Sequence, residues 1–195
     1  GHLRCRELMI DKSSSALVEA SRENPFFKEV SIVPPRITFS SGHLYLKVGK
    51  KQLNIFPTPG HSEDGISVLL EEDRILFAGD AFMPIPFFVG GDMEELTQTT
   101  KAFGEMSLEN IIQGHGDIIL RGEIEEAVRV NLAYLKAVQK TVKTALRRKN
   151  PGEFLANQDV ELFGKSRVSL GGLANELHQR NLRWQYQVES FKQNA

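Results

Sequence analysis

Residues 58–82 read TPGHSEDGISVLLEEDRILFAGDAF. Two β-rich runs, ISVLL and RILFAG, flank Glu71-Glu72-Asp73, a pattern that predicts an antiparallel hairpin. Ahead of the hairpin, Pro59-Gly60 and Glu63-Asp64-Gly65 enclose His61 in a turn, and behind it Gly79 passes the chain to Asp80. The stretch therefore sets a histidine and a carboxylate at strand ends, where a rigid scaffold presents reactive groups and glycine allows close backbone approach. Further on, IIQGHGD (111–117) repeats the arrangement with His115. Taken singly, each of the three also fits an ordinary turn residue.

Outward from the hairpin, the period-two pattern continues. HLYLKVG (43–49) and KQLNIF (51–56), joined through Gly49-Lys50-Lys51, predict a first hairpin, and SIVPPRITF (31–39) reads as a further β-rich run. Helical spacing governs the remainder. RELMIDKSSSALVEASREN (6–24) reads as an interrupted helix ended by Asn24-Pro25, with Ser13–Ser15 as a cap for its second half. MEELTQTTKAFGEM (93–106) is a predicted helix, LENIIQG (108–114) a short buried strand, 122–149 a long amphipathic helix stopped at Asn150-Pro151-Gly152, and 172–192 a last helix. Strands in hairpins with helices before, between and after them indicate an α+β or layered α/β domain. The expected division is a domain over 1–150 with a helical extension over 151–195 packed on it.

A chain of 195 residues can bury one sizeable core. With 41% hydrophobic residues, 25% charged residues and a net charge of -1, nothing points to nucleic acid or to an anionic membrane as a partner. Cys5 is the single cysteine, so no internal disulfide forms, and the cytoplasm is the expected compartment. No apolar run has the length of a membrane span.

The ordered trio His61, Asp80 and His115 resembles the metallo-β-lactamase superfamily, through TPGHSEDGISVLLEEDRILFAGDAF and the later IIQGHGD. LAYLKAVQKTV (132–142) and ELHQRNLRWQYQV (176–188) are similar to the C-terminal region of its hydrolase branch. The resemblance implies part of an αββα sandwich. It further implies two divalent metal ions, zinc foremost and iron or manganese as alternatives, with His61 on the first, Asp80 bridging both as the catalytic carboxylate, and His115 on the second. The implied reaction is metal-assisted hydrolysis of an ester, thioester or lactone, in which the ions activate water and polarise a carbonyl.

One departure qualifies the resemblance. The family's His-x-His-x-Asp-His segment is absent from these 195 residues. Two protein ligands per ion remain where a catalytic zinc has about three. The expectation is a portion of a longer enzyme, inactive or nearly so alone and holding metal weakly or not at all. The runner-up is a metal-free binding or scaffold domain, and an iron-based sulfur dioxygenase is a third reading. Missing strands would expose a sheet face, so a homodimer or strand-exchanged oligomer is expected beside the small-molecule substrate.

The remaining polar candidates are weaker. His2, His43 and His178 have no partner at ligand spacing; His43 opens a strand and His178 packs on the last helix. Glu63, Asp64 and Asp117 are expected to be solvated turn carboxylates. Phe82, Phe87 and Phe88 read either as a substrate wall or as core, and Cys5, on a helix with Leu8 and Met9, as a buried thiol. Tyr134 and Lys143 are candidates to reach a site from the long helix, and KTALRRK (143–149) complements that helix's C-terminal end.

Overall fold

The computed structural model describes residues 1–11 and 13–194, with the side chains of 11, 13–16 and 194 left aside. Six strands, β1 (Leu44–Val48), β2 (Lys51–Pro57), β3 (Ile66–Leu70), β4 (Ile75–Gly79), β5 (Asn110–Gln113) and β6 (Ile119–Leu120), form one sheet in sequential order. The predicted hairpins are β1–β2 and β3–β4, and β5 is the short strand expected from LENIIQG. All neighbours are antiparallel except β4 and β5, which are parallel and joined through helix α3 (Met93–Glu105). Two antiparallel steps separate β2 from β4, so β2, β4 and β5 run the same way and end at the same edge of the sheet.

Alternation along the strands decides which face is covered. Phe56, Leu76, Ala78 and Ile111 are buried on one face against Phe103 of α3 and against Ile124 and Val128 of α4 (Ile124–Ala145). The opposite face carries two cross-strand apolar rows: Leu44, Ile55, Val68, Phe77 and Ile112 in one, Leu46, Leu53, Leu70 and Ile75 in the other. None of these is fully buried, and Phe77 is 43% exposed.

A second cluster joins the C-terminal half of α4 (Tyr134, Leu135, Val138, Val142) to Leu155 of α5 (Pro151–Ala156), to Val160 and Phe163, and to Ala174 and Leu182 of α6 (Ala174–Asn194). The 85–88 loop inserts Ile85 and Phe88 into the same cluster. Helix α6 thereby lies against the segment that follows the hairpin.

The N-terminal helical stretch comprises α1 (Leu3–Asp11) and α2 (Ser13–Glu23); the point of interruption at Lys12 and the capping expected of Ser13–Ser15 lie outside the described residues and side chains. The Asn24-Pro25 stop is realised by Asn24 capping a 3-10 turn, Pro25–Glu29. SIVPPRITF is not a strand. Pro34 and Pro35 have no N–H to donate to a ladder, and the segment is instead held by a parallel bridge from Phe39 to His2 and by bonds from the Gly1 ammonium to the Ile37 carbonyl and from Arg6 to the Pro35 carbonyl. Helix α4 stops at Ala145, short of the expected 149, because Leu146–Arg148 close into tighter turns before Asn150-Pro151. No helix among the described residues is long and apolar enough to cross a membrane.

Candidate metal centre

The common edge of β2, β4 and β5 brings His61, Asp80 and His115 together. His61 follows β2 in the 58–65 turn, closed by a Thr58 N–H to Gly65 carbonyl bond of 2.9 Å. Asp80 follows β4 directly, and His115 leaves β5 through Gly114, whose N–H donates to the Gly79 carbonyl at 2.8 Å. Only glycine fits at 114: a Cβ there would lie 1.9 Å from Asp80 Oδ1. Gly60 serves the neighbouring turn, since a Cβ on it would meet the Leu96 backbone at 2.2 Å. These close approaches set the two histidines on either side of one carboxylate.

The Asp80 carboxylate divides its oxygens between the histidines. Oδ2 is 3.7 Å from His61 Nε2, and Oδ1 is 3.5 Å from His115 Nε2. Both separations exceed an ordinary hydrogen bond. They lie close to the distance between two ligands of one tetrahedral ion, about 3.3–3.6 Å for bonds of about 2.0–2.2 Å. His61 Nδ1 is 2.7 Å from the Phe87 carbonyl oxygen. A carbonyl only accepts, so Nδ1 carries the proton and neutral His61 keeps its lone pair on Nε2, the atom facing Asp80. A ring nitrogen tied to a backbone carbonyl while the other is free is the usual arrangement of a metal-binding histidine. Donor type and spacing thus fit divalent ions, and donor number does not: among the described residues no three His, Cys, Asp or Glu side chains converge on one ion.

A cavity of about 810 Å³ is lined by residues that follow Asp80 and His115 in the chain, though by none of the trio itself. Its wall begins at Phe82, Met83 and Pro84 after Asp80 and at Gly116 and Asp117 after His115, and ends at Asn131 and Lys165. Lys165 Nζ donates to Asn131 Oδ1, while Asn131 Nδ2 donates to the Met83 carbonyl at 3.1 Å. Burial pulls the Lys165 ammonium down to about 8.

The weaker candidates fall elsewhere. Tyr134 is not presented to the trio. It is fully buried, its hydroxyl lies 3.0 Å from His178 Nδ1, and burial pushes its pKa up. His178 is likewise fully buried, as its packing role predicted, and desolvation lowers its pKa to about 4. Its Nε2 has no hydrogen bond of ordinary geometry, the Gln158 carbonyl being the polar group that faces it. His43 bonds Asn54 Oδ1 at 2.7 Å and His2 packs on Phe39. Glu63 pairs with Arg4 in solvent, and Lys143 is exposed beside Lys140 and Arg147. Phe82 and Phe88 are core, whereas Phe87 is half-buried with its ring 6.0 Å from His61. Burial, then a hydrogen bond to Asp64, raises the Cys5 thiol above its ordinary value, which disfavours a nucleophilic thiolate.

Asn131, Lys165 and Asn181 are the polar residues near these loops that the sequence reading did not single out. One signal was present: Asn175, His178, Asn181 and Gln185 recur at helical spacing on α6 and make a polar stripe on a packed face.

Residues 11–138 match the sequence model of the metallo-beta-lactamase superfamily. The chain belongs to this superfamily. A β-lactamase-like protein 2 homolog of Caenorhabditis elegans is 31% identical over 67 residues, 34% of this chain and 23% of that protein. A thioesterase of Emericella nidulans is 36% identical over 63 residues, 32% of this chain and 18% of that protein. The matched stretches are thus about a fifth of those relatives' length. Among solved structures, a metallo-beta-lactamase family protein of Thermus thermophilus superposes with a TM-score of 0.57 at 18% identity, over 91% of this chain and 62% of that one. A stereoselective inverting sec-alkylsulfatase of a Pseudomonas species gives 0.54 at 16% identity, over 80% and 27%. These likenesses show the metallo-beta-lactamase fold.

Proposed function

We propose that His61, Asp80 and His115 are part of a dinuclear metal centre in a hydrolase of the metallo-beta-lactamase superfamily acting on an ester, thioester or lactone. One observation carries the reading: a single carboxylate presents each oxygen to a different histidine at 3.7 and 3.5 Å, with the His61 lone pair turned inward by the Phe87 carbonyl. In this assignment His61 serves the first ion, Asp80 both, and His115 the second, with zinc favoured by the nitrogen and oxygen donors and iron or manganese as alternatives. Such ions supply a water activated near neutral pH and a Lewis acid for the carbonyl. The chain's own contribution is to hold these donors in place and to seat the rest of the substrate in the adjoining cavity. The names of the relatives, a thioesterase and a β-lactamase-like protein, agree with acyl transfer to water.

The ligand count specifies what else is required. Two donors per ion leave each short of about three, so the remaining ligands come from residues beyond this sequence and the 195-residue chain is by itself inactive or nearly so. A second copy seated on the open sheet face is part of the same proposal.

The test is metal analysis of the complete protein with a thioester and lactone panel. About two ions per chain and turnover are expected, and Asp80→Asn, which weakens the donor shared by both ions, should lower metal content and turnover together. A complete protein that takes up no zinc, iron or manganese and turns nothing over would replace this reading with the metal-free binding domain, which the low donor count favours.

A further inference from the structure

The Pro86-Phe87-Phe88 segment is gripped from both sides. On one side the Phe87 carbonyl accepts the His61 Nδ1 proton at 2.7 Å. On the other, Asn181 of α6, fully buried, accepts the Phe88 N–H on Oδ1 at 3.2 Å and donates from Nδ2 to the Pro86 carbonyl at 2.7 Å. These two partners fix the orientation of the Asn181 amide, since a carbonyl cannot donate and an N–H cannot accept. The Phe87 carbonyl and the Phe88 N–H belong to one peptide group, which is planar and trans, so its N–H and C=O point in opposite directions. Holding the N–H from α6 therefore aims the oxygen at the imidazole.

Asn181 is itself fixed. Its Nδ2 also donates to the Tyr134 hydroxyl at 3.0 Å, which leaves that hydroxyl to donate to His178 Nδ1. The guanidinium of Arg180 lies 5.0 Å from the centre of the Phe87 ring. A second contact from the same helix follows another route: Trp184 Nε1 donates to the Gly91 carbonyl at 3.3 Å, and Gly91 sits where a Cβ would meet the Gly60 and His61 carbonyl oxygens at 2.2 and 2.5 Å.

We infer that Asn181 is a positioning residue for His61: through the Phe87–Phe88 peptide it holds the imidazole in the Nδ1–H tautomer, so that the C-terminal helix sets which nitrogen faces Asp80. The functional meaning of this rests on the proposed ligand role of His61. The tautomer itself does not depend on a bound metal.

The experiment is long-range nitrogen–proton NMR of the imidazoles at about pH 8, with His61 assigned by comparison with His61→Gln. The wild-type chain should show Nδ1–H at His61, the reverse of the preference of free histidine. Asn181→Ala should shift the ratio toward Nε2–H by about fivefold, the weight of one hydrogen bond. Tyr134→Phe breaks the same buried network without touching the Phe88 N–H, and should lower stability while leaving the His61 tautomer unchanged. An unaltered tautomer in Asn181→Ala, or an equal shift in Tyr134→Phe, overturns the inference. Should Asn181→Ala not fold, amide exchange of the wild type decides: the Phe88 amide should exchange as slowly as the buried amides of α4, and exchange at the rate of an open loop overturns it. Absence of metal from the complete protein would end the ligand assignment and leave the tautomer result standing.

Discussion

Acid should destabilise this protein through His178. The ring is fully buried, and desolvation lowers its pKa to about 4 against 6.5 for the free group. Above pH 6.5 the residue is neutral in both the folded and the unfolded chain and costs nothing. Between 6.5 and 4 the unfolded chain takes up a proton that the folded chain refuses, so stability falls with falling pH; below about 4 both are protonated and the loss is complete. At about 1.4 kcal/mol per pH unit across that interval, the loss is on the order of 3 kcal/mol. That is a substantial share of the roughly 5–15 kcal/mol of an ordinary domain. Urea unfolding followed by circular dichroism at about pH 7.5, 6, 5 and 4 measures it, since these values bracket the interval. The decisive quantity is the difference from His178→Gln, whose amide can accept from Tyr134 and donate toward Gln158, because contributions common to both proteins cancel in it. The variant should be less stable than wild type near neutral pH and show an acid slope shallower by up to one proton. Parallel slopes for the two proteins would refute the reasoning, because a buried, neutral His178 cannot leave the slope unchanged.

Two further outcomes are expected. Phe77→Lys, at the most exposed aromatic of the long apolar row on the open sheet face, should raise the dissociation constant of a homodimer by at least about tenfold, because the charge would have to be desolvated; light scattering across a concentration series checks it, and a wild-type chain that stays monomeric throughout counts against the second copy. Gly114→Ala should cost about 1–3 kcal/mol in thermal unfolding and displace the Asp80 carboxylate, read from its carbon chemical shift, since the new Cβ would fall on Oδ1; an unshifted carboxyl signal would mean the β5 turn yields instead.

Much of the fold was legible because local patterns and tertiary demands agree. The two hairpins, the β5 strand and helices α3, α4 and α6 all follow from period two or period 3.6 with turn residues between them. SIVPPRITF misleads because β-rich composition says nothing about donors, and two prolines remove them where a ladder would need them. Helix α4 was expected to run on to 149 because Leu146–Arg148 keep helical composition while tightening into turns.

For the candidate centre, the sequence by itself determined the residue types: a histidine, an aspartate and a second histidine, each placed beside glycine at the end of an apolar run. Those are local facts, written in turn chemistry and strand period. That the three meet was decided by tertiary structure, because only the sheet order and the parallel β4–β5 pairing put the ends of β2, β4 and β5 on one edge. The inward lone pair of His61 was decided at longer range still. It depends on a peptide at 87–88 and an amide 93 residues further along the chain, and hydrogen bonds between residues so far apart leave no periodic trace in a sequence.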